Sequence, residues 1–217
     1  MKKIDLLISE KSILTHPFYK KWQSGALTRP VLQQYAKQYY KHVAAFPQYL
    51  SAVHTQMDNA TDRTLMLENL MDEEAGDKNH PRLWENFAAE LGVSKKALET
   101  TKARRETAGM VNHFKNMTQK GSVAEGIATL YAYESQIPRV SAEKISGLKK
   151  FYGVSSKKGL EYFKVHEKAD VAHSAAERML VAKYARTPRE QKKVLKAVSS
   201  TLQAYWNLLS GMERSFA

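Results

Sequence analysis

Two histidines and an aspartate in the C-terminal third of the chain have the spacing of metal ligands on one helix face. His166 is followed by Asp170 four residues later and by His173 after three more. On an α-helix these side chains leave the same face within two turns. Imidazole and carboxylate ligands together suit iron, manganese or zinc. The motif is short, however, and a solvated helix face can also carry it.

Two more carboxylates occur where the pattern of other helices calls for apolar residues. Glu134 continues a stripe that contains Ile127 and Leu130. Glu73 continues a stripe that contains Leu70. A carboxylate on a core-facing position is costly unless a partner neutralises it. The two glutamates are therefore candidate ligands that lie on two further helices.

His80 completes the candidate set. It lies seven residues after Glu73, but Gly76 and Pro81 interrupt that spacing. Either one helix carries both residues, or a second helix begins near His80. A zinc hydrolase needs three or four ligands, whereas six suit two metal ions with bridging carboxylates, as in dioxygen-activating helical proteins. The predicted two-metal ligands are Glu73, His80, Glu134, His166, Asp170 and His173. The alternative is a buried ion-pair network neutralised by Arg139, Lys144 or Lys164.

The elements that position these residues are predicted to be helices, because helical periodicity dominates and strand alternation is absent. Ser122 and Glu125 form a capping box, and Pro188 follows a threonine cap. Pro47 and Pro138 are expected to kink long helices. The fold class is all-α, with helices near 2–14, 17–24, 29–57, 60–76, 81–92, 104–119, 122–151, 156–185 and 188–214.

Length and composition favour one domain over residues 1–217, because the six prolines and ten glycines are scattered and no linker divides the chain. The chain has no cysteine, which excludes disulfides, thiolate ligands and cysteine nucleophiles. The net charge of +12 comes from basic residues spread along the chain, and no nucleic-acid-binding motif accompanies them. We therefore expect a solvated basic surface and no nucleic-acid partner.

No apolar run approaches the roughly 20 residues of a membrane span. Charged and polar residues interrupt the apolar stretch at the N-terminus, which makes it a poor signal peptide. We expect a cytoplasmic protein without a membrane partner.

Five stretches of the sequence resemble a known family, and three of them contain the predicted ligands. They are THPFYKKW at 15–22, YAKQYYKHVAAFPQYLSAVH at 35–54, NLMDEEAGDKNHPRLW at 69–84, LYAYESQIPRVSAEKI at 130–145 and YFKVHEKADVAHS at 162–174. The chain resembles the family of the chlamydial protein associating with death domains. That family lies within the heme-oxygenase-like group, which also includes pyrroloquinoline-quinone synthase and thiaminase-like proteins. The resemblance covers nearly the whole chain. It implies a compact seven-helix bundle around a central pocket, usually a homodimer, with all six predicted ligands on ligand positions.

The resemblance also implies an activity: formation of para-aminobenzoate, a folate precursor, with two metal ions (Fe/Fe or Fe/Mn), dioxygen and an external reductant. In that family the enzyme's own tyrosine is thought to supply the ring and an internal lysine the nitrogen. The matching residues are Tyr19 and Lys144, so the protein would be consumed. We expect Lys144 at the rim of the pocket. Core packing is the alternative role for Tyr19 and for the other aromatic residues. Candidate relays of electrons or protons are Tyr35, Tyr39, Tyr133 and Tyr162.

Three other functions are open. The protein could be a dimetal oxidase of an external small molecule. It could be a cofactor-independent oxidase like pyrroloquinoline-quinone synthase, although a metal-free pocket has no need for three buried acids. It could also be an interaction module for a death-domain partner, for which the sequence predicts no surface. The thiaminase-like activity depends on a cysteine nucleophile and is excluded.

Overall fold

A computed structural model describes residues 1–216, which fold into helices without any strand. The α-helices are α1 (Lys2–Glu10), α2 (Pro17–Ser24), α3 (Arg29–Val43), α4 (Phe46–Thr55), α5 (Ala60–Glu74), α6 (His80–Glu90), α7 (Lys95–Thr100), α8 (Arg105–Lys120), α9 (Val123–Glu134), α10 (Ile137–Phe151), α11 (Lys157–Tyr184) and α12 (Pro188–Phe216), with a 3₁₀-helix at Ile13–Thr15. The all-α prediction is confirmed. The expected count of seven helices is wrong: even if α3–α4 and α9–α10 are each taken as one interrupted helix, ten α-helices remain within residues 1–216.

Prolines interrupt two of the predicted long helices completely. Helix α3 ends at Val43, four residues before Pro47, and α9 ends at Glu134, four residues before Pro138. A proline ring clashes with the carbonyl group four residues upstream and donates no backbone hydrogen bond. Each proline therefore becomes an early residue of a new helix, so the expected kinks are breaks.

Most other predicted helix starts agree with the structure. The Ser122 hydroxyl accepts from the backbone of Glu125 while the Glu125 carboxylate accepts from the backbone of Ser122, which is the predicted capping box. Thr187 and Glu190 make the same reciprocal pair before α12. The first predicted helix is shorter than expected and is followed by the 3₁₀-helix. The short helix α7, capped by Ser94, was not predicted.

Helix α11 is the central element around the candidate site. It packs against α9, α10, α6 and α5, while α12 covers α8 and α9. The core is rich in buried aromatic side chains, including Trp22, Tyr35, Trp84 and Phe163. In the part of the chain that is described, no helix is both long enough and apolar enough to cross a bilayer.

Candidate metal centre

The first group of candidate ligands joins the ends of two helices to α11. Glu73 lies near the end of α5, and His80 is the first residue of α6, capped by the Asn79 side chain. Gly76, with a φ of +70°, lies in the loop between them, so the two residues come from separate helices. His80 Nδ1 lies 2.7 Å from Glu73 Oε1, and His166 Nε2 lies 4.0 Å from the same oxygen.

The second group joins the end of α9 to the same face of α11. Its members are Glu134, Asp170 and His173, whose ligand atoms lie within 4.8 Å of one another. His173 Nδ1 lies 3.6 Å from Asp170 Oδ1. The amide of Asn69 donates to both carboxylate oxygens of Glu134 at 3.1 Å. The structure thus brings all six predicted ligands together in two adjoining groups of three.

Contacts around these groups orient the imidazoles. His166 Nδ1 donates to the carbonyl oxygen of Tyr162 at 2.7 Å, which leaves Nε2 free to face Glu73. This is the usual arrangement of a metal-binding histidine, whose second nitrogen is held by a hydrogen bond. His173 Nε2 lies 3.2 Å from the exposed Asp72 at the surface side of the site.

Burial strongly changes the protonation of the second group. Desolvation raises the pKa of Asp170 to about 8, and the charges of Glu134 and Glu73 add to this effect. Desolvation also raises the pKa of Glu134. For His173 burial alone lowers the pKa, but the Asp170 and Glu134 carboxylates outweigh it and raise the pKa to about 9.

The pKa values of the two imidazoles in the first group are shifted in opposite directions. Burial and the nearby His80 ring hold the pKa of His166 well below its usual range. Burial also opposes a charge on His80, but the Glu73 carboxylate raises its pKa. His166 is therefore a neutral imidazole, which is the form that binds a metal ion.

The residues present fit metal ions. Both carboxylate oxygens of Asp170 and the Nδ1 atoms of His80 and His173 are buried without a hydrogen-bond partner. His80 Nδ1 and Glu73 Oε1 lie close together but do not have hydrogen-bond geometry. Buried polar atoms of this kind need a partner, and a cation shared between oxygen and nitrogen ligands would provide one.

The alternative of an ion-pair network lacks its expected cations. Arg139 is exposed and Lys164 is partly exposed. Lys144 donates to the hydroxyl of Tyr35 at 2.6 Å. The close contacts of the Glu73 and Asp170 carboxylates are instead made with histidine side chains.

Four buried phenols form a chain of close hydroxyl contacts through the core. Tyr133, the neighbour of Glu134 in sequence, lies with its hydroxyl 2.6 Å from that of Tyr39. The Tyr39 hydroxyl lies 3.2 Å from that of Tyr205, which in turn lies 3.4 Å from the hydroxyl of Tyr19. Burial raises the pKa of each of these phenols, so they stay protonated at neutral pH.

Lys144 lies beside this chain in the interior, and the expectation that it lies at the rim of a pocket is wrong. Only 3% of the residue is exposed. Its Nζ lies 5.7 Å from the centroid of the Tyr19 ring and 5.1 Å from that of Tyr35. The side chain reaches inward from α10, and burial lowers its pKa to about 7. Tyr162, the last predicted relay, packs against His166 with ring centroids 4.1 Å apart.

Three residues near the site were not among the candidates predicted from the sequence. Asn69 lies one turn before Glu73, so helical spacing could have placed it near the site. Glu177 continues the stripe of His173 and Leu180 on α11 and is fully buried. Tyr205 carries no local signal, because α12 brings it to the site from far along the chain.

Comparison with known proteins supports the fold and the family. A family model described as an iron-containing redox enzyme matches residues 33–206. The chain is 41% identical to the 4-aminobenzoate synthase of Nitrosomonas europaea, covering 99% of this chain and 91% of that protein. It is 43% identical to the 4-aminobenzoate synthase of Chlamydia muridarum, covering 96% and 88%.

Solved structures match the fold at low sequence identity. A domain with a heme oxygenase-like fold from Shewanella denitrificans superposes with a TM-score of 0.82 at 12% identity, covering 99% of this chain and 90% of that chain. A CADD-like protein from Nostoc punctiforme superposes with a TM-score of 0.81 at 16% identity, covering 100% and 96%. The predicted heme-oxygenase-like fold is confirmed.

Proposed function

Because the chain belongs to the family of iron-containing redox enzymes, we propose that it forms 4-aminobenzoate in a dioxygen-dependent oxidation. The observation that carries this proposal is the identity of more than 40% to two 4-aminobenzoate synthases over nearly the whole chain. Two bound metal ions would supply the redox chemistry, and an external donor would supply reducing electrons. Ligands of oxygen and nitrogen suit iron at both positions or iron with manganese.

Each ligand group would hold one ion. Glu73, His80 and His166 would bind the first, and Glu134 and Asp170, together with His173, would bind the second. Five of these six side chains are at least nine-tenths buried, so water would be largely excluded. Exclusion of water strengthens electrostatic interactions within a site and suppresses side reactions.

We further propose that Tyr19 is the source of the aromatic ring. Conversion of a tyrosine to 4-aminobenzoate breaks its Cα–Cβ bond and replaces the phenol oxygen by nitrogen. Tyr19 is fully buried, and the phenol chain through Tyr205 and Tyr39 connects it with Tyr133, next to the ligand Glu134. These hydrogen-bonded hydroxyls form a path along which a proton and an electron can leave Tyr19.

Lys144 is the proposed nitrogen donor. With its pKa lowered to about 7 by burial, its amine is uncharged in about half of the molecules at neutral pH. An uncharged amine has the lone pair that a nucleophile requires. The Tyr35 hydroxyl accepts a hydrogen bond from Nζ and holds it among the aromatic rings near Tyr19. Tyr35 is therefore proposed to position the donor, and Tyr162 to support His166.

Isotope labelling tests the origin of the ring and of the nitrogen. Protein made with ring-¹³C tyrosine or with ¹⁵N-ε lysine is supplied with Fe(II), Mn(II), reductant and dioxygen in unlabelled buffer. We expect both labels to appear in 4-aminobenzoate, and Tyr19→Phe to form none. The matched control is Tyr49→Phe, because Tyr49 is buried and its hydroxyl has no hydrogen-bond partner. Label-free product, or full activity of Tyr19→Phe, would exclude Tyr19 as the ring source.

An external small-molecule substrate is distinguished by counting turnovers. If the protein is consumed, product stops at one molecule per chain or fewer, and the intact mass of the protein changes. Many turnovers with an unchanged mass would show that the substrate is external. Assembly as a homodimer stays a prediction, which light scattering of the purified protein would test.

A further inference from the structure

Helix α11 presents a fourth ionisable side chain to the candidate metal centre. Glu177 follows His173 by four residues and Asp170 by seven, which is the spacing that keeps all three on one helix face. Only 1% of Glu177 is exposed. It therefore extends the ligand-bearing face of α11 by one turn.

The carboxylate of Glu177 has no conventional partner. Both of its oxygens are buried and accept no hydrogen bond. Its side chain interacts with Glu134, which is itself buried and belongs to the second ligand group. The basic residues that follow it on α11 are engaged elsewhere: Arg178 pairs with Asp5, and Lys183 pairs with Asp62. Two ionised carboxylates directed at each other in a dry interior are costly unless a proton or a metal cation lies between them.

Charge balance indicates how many buried carboxylates two divalent ions would need. Two divalent ions carry four positive charges, whereas the three carboxylates Glu73, Glu134 and Asp170 carry three negative charges and the imidazoles bind as neutral ligands. Asp72 contacts His173, but 58% of its side chain is exposed and its charge is solvated. Glu177 is the further buried acid beside this group, and in its ionised form it would bring the total to four.

We propose that Glu177 is the fourth carboxylate of the metal centre and is required to bind the ion held by Glu134, Asp170 and His173. This inference rests on the two-metal function proposed above. It assigns Glu177 to the second ion because Glu177 contacts Glu134, whereas the ligands of the first ion lie toward the other end of the α11 face.

Mn(II) binding by the full-length protein tests the assignment. Bound ions per chain are counted by elemental analysis after equilibrium dialysis, and affinities are measured by calorimetry. We expect two ions in the wild type. In Glu177→Gln, which keeps the shape but removes the charge, we expect the second ion to bind at least about tenfold more weakly and the first to bind as before. Glu177→Asp keeps the charge and is expected to retain two ions.

The control is Glu167→Gln, which removes the same charge from an exposed position on α11. It should bind two ions with unchanged affinity. The metal-free Glu177→Gln protein should unfold at about the same temperature as the wild type, because glutamine keeps the shape of this buried side chain. This measurement separates weak binding from poor folding.

The outcomes are distinct. Two ions bound to Glu177→Gln with wild-type affinities would overturn the role of Glu177 while leaving the two-metal function intact. Fewer than two ions in the wild type would overturn the two-metal function, and this inference with it.

Discussion

Replacement of Lys144 by methionine should stabilise the protein, and the gain should depend on pH. Burial lowers the pKa of this lysine from 10.5 to about 7. Between these values the folded protein binds fewer protons at this site than the unfolded chain, so its stability rises with pH. Each pKa unit corresponds to about 1.4 kcal/mol. The buried lysine therefore costs about 5 kcal/mol of stability at about pH 6, about 2 kcal/mol at about pH 9, and almost nothing above its unfolded pKa.

Methionine has a similar length and no charge, so Lys144→Met removes this cost. It also removes the hydrogen bond to Tyr35, which costs about 1 kcal/mol at every pH. The net gain should be about 4 kcal/mol at about pH 6 and about 1 kcal/mol at about pH 9. Urea unfolding of metal-free protein, followed by circular dichroism, measures both free energies.

Lys149→Met is the matched control, because Lys149 lies on the same helix and is exposed. It should change stability by less than about 0.5 kcal/mol at either pH. A gain for Lys144→Met that is equal at the two pH values would refute the lowered pKa of Lys144. The proposal that this amine reacts in its uncharged form would then lose its basis.

Other substitutions test the packing and the phenol chain. Gly147→Ala would place a Cβ 2.6 Å from Trp22 Nε1. We therefore expect the free energy of unfolding, measured with urea or heat, to fall by about 1–3 kcal/mol. In Gly109→Ala on α8, no heavy atom lies within 4 Å of the new Cβ. This substitution should raise the free energy of unfolding by up to about 1 kcal/mol. Equal effects of the two substitutions would contradict the packing. Tyr205→Phe removes the hydroxyl that follows Tyr19 in the phenol chain. It should slow 4-aminobenzoate formation without changing the number of bound Mn(II) ions. An unchanged rate would exclude the phenol chain as the path for the proton and electron. Removal of metal ions by a chelator should lower the unfolding temperature, because ligand binding to the folded state stabilises it.

Local features of the sequence were sufficient for most helix starts and for the ligand-bearing face of α11. The capping pairs at Ser122 and Thr187 are contacts between residues three positions apart, so their residue types indicate them directly. The shared face of His166, Asp170 and His173 follows from the helical repeat. Such features depend on residues within one or two turns of each other.

The positions of proline were visible in the sequence, but their effect depends on the surrounding structure. A proline within a helix either kinks it or ends it, and the choice depends on whether packing holds the two segments in line. Here the breaks before Pro47 and Pro138 let α4 and α10 pack independently of α3 and α9. The break before Pro138 also places Glu134 at the end of its helix.

The meeting of helix faces was decided only by the tertiary structure. Helical spacing shows that His166 and Glu73 each occupy an inward face, but not that the two faces meet. Their pairing, the inward path of Lys144, and the approach of Tyr205 to Tyr19 join segments that are 93 or more residues apart in the chain. The reason is physical: periodicity records which side chains share a helix face, whereas the partner of that face is selected by packing the whole core at close to crystalline density. For this protein the sequence therefore determined the inward faces of the helices that carry the predicted ligands, and the fold determined which residues meet at the candidate metal centre.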